Sequence, residues 1–435
     1  MSLDPGGAAE RFAAELRDEL GGRAWLLHDA ETGRYRASSP RLDALAQWLG
    51  SDASGAQGHE AVFLEAGRGS GALFAAMIHS TRRGQAQGGA RQAQYLNTGE
   101  LLRDGLRLSL AMTRKNALAQ LWWGGGKGII AAPQGDRGPD FRRLVFQEYG
   151  AFVSGLRGCY VTAEDAGTTP SDMAEIFRAT RFATCIPTER GGSGNPSPLT
   201  AAGVASAMEA ALAFVGLRGL RGRCVVVQGA GQVGSSLVEI LLERGTERVV
   251  VGDVDGARCE ALRRRFDTPR LELRLARPGD LSILAEPCDV LAPCALGGIL
   301  SAKTIPDLAA KLVCGAANNP LANEEADAAA LAGRGIVYVP DFLANRMGIV
   351  WCANEQYGRL DDDPAIARHL GESWSGSIPN TVRRVLEASL HGGSTPVAEA
   401  CRLADALAQE PHPVLGTRAQ RIVESLEANG WMSER

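Results

Sequence analysis

The chain has no cysteines spaced C-x-x-C, no histidines spaced H-x-x-x-H or H-E-x-x-H, and no window of 18 consecutive apolar residues. The first two absences remove the common zinc spacings, so no metal site is expected. The third removes a membrane-spanning helix. Long runs of one charge are also missing. With 46 basic and 50 acidic side chains the formal charge is −4, which recruits neither nucleic acid nor an anionic membrane. The N-terminus, MSLDPGGAAERFAAELRDEL, carries acids early and lacks the apolar core of roughly 7 to 15 residues that an export signal needs. The nine cysteines (159, 185, 224, 259, 288, 294, 314, 352 and 401) are odd in number and lie mostly inside apolar runs. That usage suits a reducing cytoplasm, with the thiols acting as small buried hydrophobes.

What is present is a chain of 435 residues, 45% of them hydrophobic, long enough for two globular domains. The expected fold class is α/β, with a Rossmann-type doubly wound parallel sheet, a second substantial α/β domain, and an extra N-terminal segment. Residues 1–58 look separate: a helix through Ala9, Phe12, Ala13, Leu16 and Leu20, a strand AWLLHD, a turn ETGR and a helix over LDALAQWLG, closed by SDASGAQG as a flexible joint. The strands VFLEAG and ALFAAMIHS and the helix GELLRDGLRLSLAMTRKNAL then open a domain assigned to 59–199 plus 346–435. TERGGSGNPSPLT marks the crossing into a nucleotide domain at 200–345, after which a mostly helical chain returns to the first domain.

Within 200–345, CVVVQ reads as a buried parallel strand, closed by GAGQVG, which opens the helix SSLVEILLERG. A lone G-x-G-x-x-G is weak, but strand, turn and helix in order make it a dinucleotide fingerprint. Gly229, Gly231, Gln232, Val233 and Gly234 would let pyrophosphate approach the helix N-terminus, where free N–H groups favour negative charge. Asp253, 19 residues past Gly234 at the end of VVVGD, would bind both ribose hydroxyls. An acid there repels a 2′-phosphate, and only Arg258 offers a counterweight, so NAD is expected over NADP. Asp255 could share the role, though a solvated turn residue is the plainer reading.

A second glycine run, LWWGGGKGII, ends in Lys127. It is not a P-loop, because Leu121 and Gly128 stand where that motif needs glycine and Ser or Thr. Lys115 lies twelve residues earlier in MTRKNALAQ, and YVTAEDAGTTPSDM places Glu164 and Asp165 after a short strand. Each lysine alone would pass for a surface charge. The flanking Trp122, Trp123 and glycines make Lys127 less ordinary, and spacing alone decides no further.

The runs MTRKNALAQLWWGGGKG, TAEDAGTTPSDM, GGSGNPSPLTAAGV, APCALGGIL and GAANNPLA, in that order, resemble the amino acid dehydrogenase family of leucine, phenylalanine, valine and glutamate dehydrogenases. The resemblance runs from about Glu60 onward and is strongest to the leucine branch; residues 1–58 have no counterpart. It implies reversible oxidative deamination of an L-amino acid to its 2-oxo acid and ammonia, with hydride passing to nicotinamide, in a homo-oligomer. It also implies substrate binding and oligomerisation for the α/β domain at 59–199 plus 346–435. Lys115 would hold the substrate α-carboxylate, aided by the Gly88-Gly89 backbone and Asn319. Lys127 matches the catalytic lysine that activates water, which requires a pKa well below the ordinary ~10.4. A water-poor cleft and the ammonium of Lys115 are expected to lower it. Asp165 matches the acid that exchanges protons with the amino group. Ala295 would line the cofactor, and Thr200 and Asn318 would lie near the nicotinamide amide and ribose.

The family's side-chain pocket maps to Gln87, Gly88, Met112, Ala163, Ile349 and Cys352, mostly apolar, so an aliphatic or aromatic substrate is expected. The 28 residues from Gln87 to Lys115 match the leucine-type spacing. Glutamate-type members carry a lysine at the position of Gln87 and leucine-type members a leucine, so Gln87 departs from both. It could bond a polar side chain or point away. Arg346 and Met347 replace small residues, and Arg346 could neutralise an acidic substrate or brace the hinge. The alternatives are a glutamate-preferring enzyme using Gln87 and Arg346, and a sensor that keeps the fold without turnover. Lys115, Lys127 and Asp165 together argue against a sensor.

Overall fold

The structure is a computed structural model that describes residues 4–135, 137–356, 358, 360, 362–428 and 430–432. Residues 1–3 of the N-terminal segment and Tyr357 of NRMGIVWCANEQYG lie outside the described residues. The chain divides into two units, one of residues 1–195, 352–359 and 405–435, the other of 196–351 and 360–404.

The first unit is built in chain order from α1 (Ala9–Leu20), β1 (Arg23–Asp29), β2 (Arg34–Ala37), α2 (Asp43–Leu49), β3 (Ala61–Ala66), β4 (Leu73–Ser80), β5 (Ala86–Gln92), α3 (Thr98–Leu118), β6 (Gly124–Ala131), α4 (Gly138–Gly155), β7 (Tyr160–Glu164) and α5 (Pro170–Phe177). Its seven strands form one sheet in the order β2-β1-β3-β4-β6-β5-β7. The β1 to β4 side pairs antiparallel, whereas β5 runs parallel to both β6 and β7. Asn97 starts α3 by accepting the backbone N–H of Glu100 at 2.8 Å, which leaves Leu101, Leu102 and Leu106 buried on the sheet.

The first 58 residues are part of this sheet, where the sequence suggested a separate segment. Trp25 on β1 pairs with Phe63 on β3, and Phe12, Leu16, Leu26, Leu42, Leu45 and Leu49 share one core with Leu64, Leu73, Met77 and Leu106. SDASGAQG is correspondingly not a loose joint: Ser54 is buried, its hydroxyl donating to Leu49 O at 2.8 Å. The physical reason is that β3 has an apolar edge of its own to cover, and β1 covers it. Arg23 on β1 then pairs with Glu65 at 2.6 Å, donates to Trp431 O at 2.8 Å and lies over the Trp431 ring.

The second unit contains α6 (Ser197–Phe214), β8 (Cys224–Gln228), α7 (Gln232–Glu243), β9 (Arg248–Asp253), α8 (Gly256–Arg265), β10 (Leu271–Leu275), β11 (Cys288–Pro293), β12 (Ala310–Val313), α9 (Glu324–Gly333), β13 (Val337–Tyr338) and α10 (Asp341–Ala344). Its sheet order, β10-β9-β8-β11-β12-β13, is parallel throughout. That is the doubly wound order with its switch point between β8 and β11. Further along come α11 (Met347–Glu355), α12 (Pro364–Ala367), α13 (Ile378–Gly392), α14 (Pro396–Ala408) and α15 (Arg418–Ala428). The sequence returned everything after 345 to the first domain. In the structure 360–404 belongs to the second unit, because α13 buries Ile378, Val382, Val385 and Leu386 with α6 as a contacting element. Among the described residues no helix is long and apolar enough to cross a membrane, and no group of three His, Cys, Asp or Glu could hold a metal ion.

Two outcomes follow from this packing. Phe12→Ala removes a ring that is 2% exposed, and it should cost the first unit about 3–5 kcal/mol. A melting curve of the full-length protein tests it, since an appendage would leave the main transition unmoved. His59 and His79 stack edge to face at 4.7 Å. His59 Nε2 meets Leu106 O at 2.8 Å, and His79 Nδ1 meets Thr113 Oγ1 at 2.7 Å. Burial, and for His59 the neighbouring His79, lowers them to about 3 and about 4. Both are neutral when folded, so the unfolded chain binds more protons below pH 6.5 and stability falls on acidification. Melts between pH 7 and 5 should lose about 2 kcal/mol per histidine in total, with a shallower slope in His79→Gln.

Candidate active site

Lys127 sits in the middle of β6 with 3% of its surface exposed. An ammonium so buried requires a partner, and Asp165 supplies it, with Nζ 2.7 Å from Oδ2. Asp165 follows β7 directly, so the pair reaches across β5. The glycines are what allow this. A Cβ on Gly89 would come 2.7 Å from Asp165 Cβ. One on Gly125 would overlap Thr113 of α3, and one on Gly128 would overlap the Tyr149 hydroxyl. The GGGKG run is therefore a strand pressed between a helix and a tyrosine.

The loop carrying Asp165 is fixed from several sides. The Asp165 N–H donates to Thr168 Oγ1 at 2.8 Å, and Thr169 and Asp172 form a capping box on α5. Arg142 donates to Asp172 Oδ2 at 2.7 Å and to Gly167 O at 2.9 Å. Such a loop holds a carboxylate in one place.

Sequence reasoning missed the third member of the site. Arg91, on β5, donates through Nε to Asp165 Oδ2 at 3.0 Å and through Nη1 to Asp104 Oδ2 at 3.0 Å. Tyr95 donates to the same Asp104 oxygen at 2.9 Å. The signal lay in the period of two. Had QGGAR been read as a strand, Arg91 would have fallen on the face of Gly89, beside Lys127. Burial pushes the Lys127 pKa below the ordinary 10.5, Asp165 opposes this, and Arg91 adds to it. Arg91 is thus a cation acting on Lys127 that the sequence argument, which named Lys115, did not include. Burial alone would raise the Asp165 carboxyl, but Lys127 and then Arg91 outweigh it and hold it well below the usual carboxylate range.

The other residues expected on this unit gather around the same strands. Gln87, Gly88 and Gly89 lie on β5, with Gly89 paired to Ala163 on β7. A Cβ on Gly88 would stand 3.2 Å from Met112 Cγ, so Met112 lies over that strand. Lys115 follows Met112 by three residues on α3, on the same helix face, and is half-buried. Cys352 is buried in α11, where its contact with Cys185 and burial raise its thiol. Glu164 is half-buried and raised to about 7, by burial first and then by Asp172 and Asp165. Trp123 is buried, at 5% exposed, whereas Trp122 is exposed and carries the Arg83 guanidinium 4.2 Å above its ring.

In the second unit the three glycines of GAGQVG have three different reasons. Gly229 adopts φ +108 and a Cβ there would come 2.7 Å from Ala295 Cβ, while a Cβ on Gly234 would overlap Gly229 O. A Cβ on Gly231 would meet only Arg258 Nη1, at 4.0 Å. That open space adjoins the first turn of α7, where Gln232 and Val233 begin the helix and no side chain caps it. Such a turn is shaped for pyrophosphate. Asp253 ends β9 beside it, accepting from Ala230 N at 2.6 Å and Asp255 N at 2.8 Å. Asp255 caps α8 through Ala257 N, a structural role. Arg258 stands 3.3 Å from Asp255 and 3.8 Å from Asp253.

Asn318 accepts from Asn345 Nδ2 at 3.0 Å. Asn319 takes φ +48, donates its N–H to Asp341 Oδ2 at 3.0 Å, and buries its side-chain Nδ2 without a protein partner. Thr200 donates to Pro196 O at 2.9 Å. Ile349 is buried in this unit. Arg346 is fully buried, donates to Gly376 O and is lowered to about 9 by burial and Arg384, which describes a brace within the unit.

The second unit by itself defines the class, a dinucleotide-binding α/β protein. Two family models place it further. One, described as Glu/Leu/Phe/Val dehydrogenase, dimerisation domain, matches residues 65–182. The other, Glutamate/Leucine/Phenylalanine/Valine dehydrogenase, matches 191–262 and 266–404. A valine dehydrogenase of Streptomyces albus is 39% identical over 349 residues, 80% of this chain and 92% of its own. A leucine dehydrogenase of Geobacillus stearothermophilus is 42% identical over 283 residues, 65% of this chain and 74% of its own. The crystal structure of L-tryptophan dehydrogenase from Nostoc punctiforme superposes with TM-score 0.63 at 32% identity, covering 84% of this chain and 97% of that one. The chain belongs to the Glu/Leu/Phe/Val dehydrogenase family and is an amino acid dehydrogenase acting on CH–NH2 donors.

Arg91 supplies the test of this geometry. Arg91→Met removes one of the two cations that depress Asp165, so the acid limb of kcat/KM should move to higher pH and kcat should fall about tenfold or more. Arg91→Lys should recover part of both. A pH–rate profile with an unmoved acid limb in Arg91→Met would remove Arg91 from the site.

Proposed function

We propose that the protein catalyses the NAD-dependent, reversible oxidative deamination of an L-amino acid to its 2-oxo acid and ammonia. The buried Lys127–Asp165 pair is the observation that carries this reading. Lys115 holds the α-carboxylate, with the Gly88-Gly89 backbone assisting. Lys127, its ammonium destabilised by burial and by Arg91, gives up a proton more readily than a surface lysine and takes one from the water that attacks the imine. Asp165, kept ionised by Lys127 and Arg91, takes a proton from the substrate amino group and returns it to the departing ammonia. The small residues on β5 and β6 leave room for the substrate and limit the water that enters with it.

The open turn at Gly231 and the carboxylate of Asp253 suit a dinucleotide, which supplies the hydride acceptor when bound. Gly229, Gly231, Gln232, Val233 and Gly234 would receive its pyrophosphate, Asp253 its ribose, and Thr200, Ala295 and Asn318 its nicotinamide half. Asp253 disfavours a 2′-phosphate, and Arg258 is occupied by Asp255, which supports NAD over NADP. The matching model's description as a dimerisation domain supports a homo-oligomer. Nine free cysteines, buried or half-buried, suit a cytoplasmic protein. Arg346, held by Gly376, supports an aliphatic or uncharged substrate rather than glutamate.

The experiment is NADH formation over a panel of L-amino acids, with Lys127→Ala alongside. Lys127→Ala should lower kcat/KM by about 10²–10⁴-fold. In the wild type kcat/KM should rise with pH through an ionisation below the ordinary lysine value of 10.5, and Lys127→Arg should lose that ionisation. Turnover that survives in Lys127→Ala would refute the assignment.

A further inference from the structure

Gln87 is fully buried on β5, and neither its Oε1 nor its Nε2 meets a protein partner. Among the described residues it is the one side chain with both ends of its polar group in that state. A buried amide with both ends unmet is unfavourable, so this arrangement favours a bound group that can satisfy it.

The strand register says where the amide stands. Gln87 pairs with Gly125 on β6 and Val161 on β7, and Gly89 pairs with Ala163. Ala90 pairs with Gly128, which sets Lys127 level with Gly89. Side chains two apart share a face. One row therefore runs Gly125, Gln87, Val161, and the next runs Lys127, Gly89, Ala163. Two polar side chains rise from neighbouring strands, offset by two residues (about 6.6 Å) along them and one strand spacing (about 4.8 Å) across, so about 8 Å apart. A substrate whose amino group lies at Lys127 and Asp165 can direct its side chain along the strands to Gln87. The nearby Thr113 hydroxyl is already engaged by His79 at 2.7 Å.

We propose that Gln87 selects amino acids whose side chain ends in a neutral group that both donates and accepts hydrogen bonds, a carboxamide or a hydroxyl. The inference rests on the amino acid dehydrogenase reading above. A carboxylate only accepts and would face Oε1 with lone pairs. An ammonium only donates, and would be buried about 8 Å from Lys127. An aliphatic group leaves both ends of the amide unmet. Only a donor and acceptor together satisfies Gln87, and a site built that way discriminates more sharply than an apolar pocket does.

The test uses shape-matched pairs on the full-length protein: L-glutamine against L-homoleucine, L-asparagine against L-leucine, and L-threonine against L-valine. In the wild type at least one polar-to-apolar ratio of kcat/KM should reach about one or more, and in Gln87→Leu that ratio should fall at least about tenfold. Gln87→Met provides the same comparison if the leucine variant does not fold. Wild-type ratios all below about 0.01, or ratios unmoved in both variants, would overturn the assignment while leaving the dehydrogenase reading in place. Absence of turnover with every amino acid would overturn both.

Discussion

A positive charge buried in the middle of a seven-stranded sheet is the constraint around which the first unit is organised. Lys127 has almost no water to stabilise it, so the fold must provide a carboxylate at hydrogen-bonding distance. Asp165 does so, and it must in turn be kept in place and ionised. Arg91 ties it to Asp104, and the capped start of α5 fixes its loop. The glycines of β5 and β6 follow from the same demand, since a Cβ at Gly89 or Gly125 would push the strands or α3 apart. What looks like a flexible glycine run is a buried strand with no room for a Cβ at Gly125 or Gly128.

The network also explains how one site can hold two opposite tendencies. Burial favours neutral forms of both partners, whereas their mutual attraction favours both charges. Lys127 and Asp165 thus titrate as a pair, and a substrate that displaces or replaces one hydrogen bond shifts the proton balance of the other. An amine arriving beside Asp165 competes with Lys127 for the same carboxylate. Under the proposed function, that competition is a physical route by which substrate binding releases Lys127 to act as a base.

Much of this was legible in the chain. GAGQVG between an apolar strand and a helix predicted the parallel sheet, its turn and Asp253 at the next strand end, because these are local relations fixed by a few residues. Lys115, Lys127 and Asp165 were found from their motifs. Arg91 was not, because QGGAR has none of the β-branched character of a strand; it is one only because β6 and β7 pair with it on both sides. The first 58 residues also misled. Their two helices and first strand were read in the right places, yet β2 was not, and their textural break from the rest hid the pairing of β1 with β3. The last helices were likewise assigned wholly to the first domain, since nothing in their own pattern says which partner will cover their apolar faces.

The sequence by itself determined the elements, the nucleotide turn and the identity of the ionisable residues, because each depends on neighbours within a few positions along the chain. Tertiary structure alone decided that Arg91 stands beside Asp165, that β1 covers the edge of β3, and that Gln87 is buried on the strand next to that of Lys127 with both ends of its amide unmet. Those depend on strand register and on what each face is packed against, which are relations between segments distant in sequence. A glutamine in a row of small residues is unremarkable as a letter, and only its burial makes it a demand for a partner.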